Sequence, residues 1–348
     1  MSLESLLLPH RPALEARLGA LLTALPQRYV VKSDPADARG EVAGEVALHA
    51  MIGAQLESGG KRLRGLLPVA LVVAAGGEPA AALEFGAAVE LIHNGTLVHD
   101  DIQDGDHMRR GRPTLWTQQG VAQAINAGDA LLVGPLAWLL RAEAIPPAVR
   151  PALCAVLAEA LFETIRGQVA DLALRELAAP TLDDMAAVHL AKTGPLFGAC
   201  CAGAVHLLGG TAESVAHALD LGRELGLAFQ IRDDLLDFAG TKGRGAAGAD
   251  LREGKLTWPV LAAVRVAPEQ ESATLRKLLA RAAAGDALRH DEVARWVAWT
   301  GLHGGGVAAE QALADCLAAS RLAASAAFGA KGAVVIGLLC DRLARLDG

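Results

Sequence analysis

Apolar side chains recur along this chain at the three- and four-residue intervals of an α-helix, and no stretch of note alternates at the two-residue period of a half-buried strand. Leu14 to Leu25 reads as an amphipathic first helix, and the polar stretch Lys32 to Arg39, with Pro35, as a linker. Gly59-Gly60 breaks the chain before Lys61-Arg62-Leu63-Arg64. Leu66 to Ala75 then runs apolar up to Gly76-Gly77, which predicts a helix that begins with exposed bases and continues into the core. From Ala80 onward Leu83, Ala87, Leu91, Thr96 and Val98 keep helical spacing as far as Asp104. Apolar helices over about 122–144 and 152–177 follow, split by Pro146-Pro147. Lys192-Thr193-Gly194-Pro195 punctuates the next pair, and Ala212 to Asp237 forms another long helix. A Gly-rich charged segment, Thr241 to Gly254, precedes the amphipathic helices that close the chain. The pattern predicts a nearly all-α protein with no clear domain boundary, and residues 1–40 as a peripheral layer.

Composition agrees. Of 348 residues 52% are hydrophobic, ample for a large core, and only 3% are aromatic, which with abundant Ala, Leu, Glu and Arg favours helix over sheet. A net charge of −7 lacks the basic footprint of a nucleic-acid binder. The five cysteines form no CxxC pair and have no histidine at zinc spacing, so a reduced, cytoplasmic chain is expected. Apolar runs such as Gly65 to Ala75 and Ala333 to Cys340 fall short of the ~20 residues that cross a bilayer, so no transmembrane segment is expected. The N-terminus carries an early acid and no basic region before an apolar stretch, unlike a secretory signal.

Two aspartate clusters of one form stand out, Asp100-Asp101-Ile102-Gln103-Asp104 and Asp233-Asp234-Leu235-Leu236-Asp237, each ending a long apolar helix. The outer carboxylates of each are four residues apart, stacked on one helical face, where like charges repel and call for a cation. Two such faces turned toward each other would suit Mg²⁺, which takes carboxylates, water and substrate phosphate. The bases Lys61, Arg64, Arg109, Arg110, Lys192 and Lys255 add a second kind of phosphate site, made directly from Lys and Arg. Such a pocket could bind two diphosphates, one bridged by metal and one not. A diphosphate neutralised by metal leaves an allylic carbon readily, and apolar helix walls keep water from the cation that remains.

With these clusters in place, Gly60-Lys61-Arg62-Leu63-Arg64, His93-Asn94, Arg109-Arg110-Gly111-Arg112-Pro113-Thr114, Gly167-Gln168, Lys192-Thr193, Phe229-Gln230-Ile231-Arg232 and Asp250-Leu251-Arg252-Glu253-Gly254-Lys255 resemble the trans-isoprenyl diphosphate synthases, or polyprenyl synthetases. The resemblance covers roughly positions 55 to 260. It implies an all-α, single-domain bundle of antiparallel helices around a deep central cavity, working as a homodimer. It also implies Mg-dependent head-to-tail condensation of isopentenyl diphosphate with an allylic diphosphate. On that reading Asp100 and Asp104 bind two Mg²⁺ ions and Asp233 a third, with Asp101, Asp234 and Asp237 in the same catalytic set. Lys61, Arg64, His93 and Arg110 would hold isopentenyl diphosphate. Arg109, Lys192 and Lys255 would grip the allylic diphosphate, and Thr193 and Gln230 would line the reacting carbons.

The chain departs from the family at one point. Where many members carry a lysine before the Gly-x-Asp-Leu segment, Gly245 stands here with Arg244 beside it, leaving open whether Arg244 substitutes or the site is weaker. Gly95 and Thr96, one turn before Asp100, are small where a bulky family residue blocks the growing product. A product of twenty carbons or more is therefore expected, with Leu91, Ile92 or Trp138 as candidate floor. Taken singly, His99 and Cys200-Cys201 read as core residues, and Gly167-Gln168 as helix packing. A class I terpene cyclase is the rival reading, but it needs no second diphosphate site. A non-catalytic partner subunit should have lost an acidic residue, and none is lost.

Overall fold

The computed structural model describes residues 2–24, 48–175, 177, 179–241 and 247–346. The expected linker at 32–39, and Arg244 and Gly245, lie outside the described residues. The chain falls into two compact units, one of residues 1–158 with 206–208, the other of 159–205 with 209–348.

The first unit holds α1 (Leu3–Leu7), α2 (Arg11–Ala24), α3 (Leu48–Glu57), α4 (Leu63–Ala74), α5 (Pro79–Gln103), α6 (Leu115–Gln119) and α7 (Val121–Leu139), and α8 (Arg150–Leu174) begins in it. Pro79 starts α5 at a position that needs no N–H partner, and Asp104 is its C-cap. Its buried face, Phe85, Ala88, Val89, Ile92 and Val98, packs between α4 and α7. The approach is close: a Cβ on Gly86 would stand 2.1 Å from the Gly65 carbonyl oxygen of α4. Arg109 to Arg112, read as a polar loop, is instead the turn of a small antiparallel hairpin, β1 (Met108–Arg109) and β2 (Arg112–Pro113). Its two central residues have positive φ, Arg110 at 53° and Gly111 at 77°, the geometry of a primed hairpin turn. A four-residue polar segment holds too little alternation to signal such strands.

The second unit holds the rest of α8 and α9 (Leu182–Lys192), α10 (Gly194–Leu207), α11 (Ala212–Phe238), α12 (Ala249–Arg252), α13 (Trp258–Val266), α14 (Glu269–Ala283), α15 (His290–Leu302) and α16 (Gly305–Ala344). Facing glycines bring α10 and α11 together. A Cβ on Gly222 would lie 2.1 Å from the Gly198 Cα, and one on Gly226 2.5 Å from the Gly194 Cα. Both contacts are backbone, so nothing yields except the helices themselves. We expect Gly222→Ala to cost about 3 kcal/mol in urea unfolding. Gly19→Ala, on the exposed side of α2 with nothing within 4 Å of the new Cβ, should instead gain up to ~1 kcal/mol. Equal effects at the two sites would refute the packing argument.

By length and composition α16 is the one helix among the described residues apolar enough to cross a bilayer, which the sequence reading did not expect. Glu310, Asp315, Arg321 and Lys331 cut its sequence into short runs. In this fold it lies along α11 and α13, and at Gly329 (φ 63, ψ −168) its backbone leaves helical geometry. Arg321 then pairs with Asp341 at 2.6 Å across the kink.

Candidate active site

In the first unit the three carboxylates that end α5 divide. Asp100 and Asp104 are partly exposed, while Asp101 is 1% exposed and held by Arg109, whose Nε and Nη2 both lie 2.6 Å from its Oδ1. Burial lifts the Asp101 carboxyl above the ordinary aspartate range, against the pull of Arg109. The hairpin thus delivers Arg109 to Asp101, with Asp106 4.0 Å from the same guanidinium.

The bases beside it separate in the same way. Lys61 is exposed and Arg64 partly so, but Arg62 between them is 5% exposed, with a left-handed φ of 52° at the N-cap of α4. Its guanidinium donates to Glu15 Oε1 (2.9 Å), Glu90 Oε1 (3.3 Å) and the Leu56 carbonyl (2.6 Å). Arg64 Nη1 reaches His93 Nε2 at 3.3 Å. Burial first, and then the charges of Arg64, Arg110, Arg109 and Arg62, hold the His93 imidazole well below its usual pKa, so it stays neutral among arginines. Arg110 donates from Nη1 to the Gly59 carbonyl, and its guanidinium fills the space a Cβ on Gly60 would need. Arg110 is thereby set on the Gly59-Gly60 turn, which Lys61 follows in the chain, and Arg64 against His93, whose ring also feels the charge of Arg110. Arg62, which spacing could not single out, ties the start of α4 to Glu15, Glu90 and the Leu56 carbonyl.

In the second unit Lys192 ends α9. Its Nζ lies 2.8 Å from Asp171 Oδ2, which also takes Arg175 at 3.2 Å. Burial works against that carboxylate, but Lys192 and Arg175 outweigh it and hold Asp171 below the aspartate range. Sequence reasoning missed Asp171; its signal was its place on α8 one turn after Gln168. Gly167 packs as expected, since a Cβ there would sit 2.2 Å from the Lys192 amide nitrogen. Thr193, the C-cap of α9, is buried, and Gln230 follows Phe229, whose ring lies 5.6 Å from that of Phe197. At the end of α11 Asp233 and Asp234 are partly exposed and Asp237 is buried. Lys255 Nζ stands 2.9 Å from Glu253 Oε2.

One turn before Lys192, His189 stacks on Trp258, and both of its ring nitrogens are buried without a partner. Burial lowers its pKa from 6.5 to about 4, with Asp171 pulling the other way. The unfolded chain therefore takes up this proton first. Stability should fall as pH drops from about 6.5 to about 4, by up to about 1.4 kcal/mol per pH unit, and level off below. His189→Phe keeps a ring for Trp258 and removes the titration, so its acid-unfolding midpoint by circular dichroism should move to lower pH. An unmoved midpoint would refute the assignment.

Gly95 borders no open space. A Cβ on it would come 2.8 Å from Leu132 Cδ2, 2.9 Å from Leu131 Cβ and 3.1 Å from the Gly128 carbonyl of α7, so its smallness serves a helix crossing. Thr96 is partly buried and folds its hydroxyl back to the His93 carbonyl at 2.8 Å. Ile92 and Leu91 are buried, and Trp138 lies under the Arg17 guanidinium. His99 is no core residue: it lies over Gly128, 3.5 Å from Asp129 on α7. Cys200 and Cys201 are fully buried.

Asp100, Asp104 and Asp233, the cluster residues expected to hold metal, offer only hard carboxylate oxygens, a donor set that fits Mg²⁺ and not a soft thiophilic ion. Among the described residues no three acidic, histidine or cysteine side chains gather into a closed cage. Mg²⁺ does not ask for one, since it binds through one or two carboxylates with water and substrate phosphate.

The chain matches the family model for polyprenyl synthetase over residues 45–294. It is 38% identical over 256 residues to the geranylgeranyl diphosphate synthase of Mycobacterium tuberculosis, covering 73% of this chain and 71% of that one. It is also 38% identical over 237 residues to the farnesyl diphosphate synthase of Geobacillus stearothermophilus, covering 65% and 79%. Among solved structures, geranylgeranyl pyrophosphate synthetase from Pyrococcus horikoshii superposes with a TM-score of 0.81 at 28% identity, covering 99% of this chain and 98% of that one. Similarity this strong over this much of the sequence allows one conclusion, that the chain belongs to the polyprenyl synthetase family.

Proposed function

We propose that this protein condenses isopentenyl diphosphate head-to-tail with an allylic diphosphate, in a Mg²⁺-dependent reaction, to give a trans-polyprenyl diphosphate of twenty carbons or more. The placing of Arg64 on His93 and of Arg110 on the Gly59-Gly60 turn, next to Lys61 in the chain, carries this reading. It supplies a diphosphate grip built from bases alone, which a one-substrate terpene cyclase does not need. Neutral His93 adds a hydrogen-bonding ring there without adding to the repulsion among the arginines.

Asp100, Asp104 and Asp233 would hold the Mg²⁺, which when bound makes the allylic diphosphate a better leaving group. Arg109, Lys192 and Lys255 take the charge of that diphosphate, each kept in place by a carboxylate neighbour, Asp101, Asp171 and Glu253. Buried Thr193, with Gln230 one turn of α11 before Asp234, lines the reacting carbons. Product length rests on Thr96, the small α5 residue not used in a helix crossing, and on the geranylgeranyl product named for two of the relatives.

We further propose a cytoplasmic homodimer. For the dimer each unit offers its own support, exposed Val121, Ile125 and Val133 on α7 in the first and exposed Phe162, Ile165 and Val169 on α8 in the second. The deciding experiment incubates the protein with Mg²⁺, labelled isopentenyl diphosphate and allylic starters of increasing length, and sizes the products by chromatography. Absence of any elongated product would sink the proposal.

A further inference from the structure

The second aspartate cluster does not spend its three carboxylates alike. Asp237, 3% exposed, accepts at Oδ2 from the Asp250 N–H (3.1 Å), where the chain enters α12, and its carbonyl accepts from the Gly248 N–H (3.0 Å). Asp234 accepts at Oδ2 from the N–H of Trp258 (2.7 Å), the first residue of α13. Lys255 lies between these two amides, its own N–H bonded to the Asp250 carbonyl at 2.9 Å. On its other side the segment is wedged against α14. Gly254, at φ +80°, leaves no room for a Cβ, which would meet Ala283 N at 2.5 Å and Leu279 O at 2.6 Å. Beyond Trp258 the chain of contacts continues, since the indole stacks on His189 of α9, one turn before Lys192.

We propose that Asp234 and Asp237 are positioning residues, a two-point clamp on the main chain that fixes the Lys255 segment against α11 at its entry and its exit. Their carboxylates serve diphosphate binding by holding a lysine, and leave metal to Asp233. This rests on the role given above to Lys255. It accounts for the different burial of the acids in the second cluster, where Asp237 is buried and Asp233 and Asp234 are partly exposed. A carboxylate already accepting a short main-chain hydrogen bond has that lone pair committed, and holding a lysine within the tolerance phosphate binding requires is worth roughly 10- to 100-fold in affinity.

The test compares Asp234→Asn with Asp234→Ala. An amide oxygen still accepts from the Trp258 N–H but is a poor ligand for Mg²⁺. Asp234→Ala should raise KM for the allylic diphosphate roughly 10- to 100-fold and weaken binding of inorganic pyrophosphate to match. It should also speed amide exchange at residues 255–258. Asp234→Asn should recover most of that affinity, with the Mg²⁺ concentration for half-maximal rate unchanged. Equal impairment of both variants with a raised Mg²⁺ requirement would overturn the clamp, as would unchanged exchange in Asp234→Ala. Asp237→Ala should speed exchange at Asp250, and if it does not fold the Asp234 pair decides alone. Exchange and pyrophosphate binding need no turnover. A wild-type protein that elongates nothing would therefore defeat the proposed condensation and still leave the clamp open to trial.

Discussion

Asp233→Asn and Asp100→Asn should each lower kcat/KM for condensation by about 10²- to 10³-fold, the loss found when one preorganised electrostatic contact to developing charge is removed. The substitution keeps volume and shape, removes the charge and turns one acceptor oxygen into an amide donor. Both residues are partly exposed at helix ends, so the fold should not suffer. For the first cluster stability should move the other way. Asp100 and Asp104 sit one turn apart, and like charges so placed cost a few tenths of a kcal/mol. Without Mg²⁺, Asp104→Asn should melt at or slightly above the wild-type temperature. Added Mg²⁺ with inorganic pyrophosphate should raise the wild-type Tm more than that of any of the three variants, because tighter binding to the folded state stabilises it more. Thermal melting with and without the ions, beside the kinetic assay, checks both signs. A variant that melts well below wild type in chelator would show these acids to be structural.

Arg62→Ala should cost about 3–5 kcal/mol, the loss expected when one partner of a buried ion pair is removed. Arg62 and Glu90 are 4% and 5% exposed in their side chains, so Glu90 would keep a buried charge with, among the described residues, the Gly65 N–H at 3.2 Å as its remaining support. Burial works against the Arg62 charge, but Glu15 and Glu90 more than offset it. Glu15 makes the shorter contact, 2.9 Å, but at 39% side-chain exposure it would be left solvated and not stranded when Arg62 is removed. The left-handed backbone supplies a second, separable effect. A non-glycine residue there carries roughly 1–2 kcal/mol of strain, so Arg62→Gly should be less damaging than Arg62→Ala by about 1 kcal/mol, in spite of losing the same ion pairs. Urea unfolding of the two variants separates the terms, and identical losses would remove strain from the account.

Much of the fold was legible in the sequence because α5 and α11 combine long helical periodicity with clear stops, Asp104 before Gly105 and Phe238 before Gly240. The candidate residues could be picked from the sequence too, but where the fold puts each of them could not. Nothing in the spacing of Asp100, Asp101 and Asp104 says which is turned inward; that depends on a hairpin that brings Arg109 back to Asp101. In the same way Lys61-Arg62-Leu63-Arg64 offers three bases, and only the left-handed turn at Arg62 decides which one is buried. Asp171 escaped because its function is to meet Lys192, twenty-one residues on, across a packing that Gly167 makes possible. The facing glycines of α10 and α11 carry no apolar signal at all, since what they contribute is the absence of a side chain.

The crossing at Gly95 bears on how product size can be engineered. A larger residue there must push α5 and α7 apart, and α5 is the helix that delivers Asp100 one turn later. If product length is set here as proposed, a substitution that shortens the product should also displace Asp100 and slow the enzyme. Thr96, whose hydroxyl is folded onto its own helix and whose size serves no helix crossing, is where the proposed control of chain length can be tried without forcing α5 from α7.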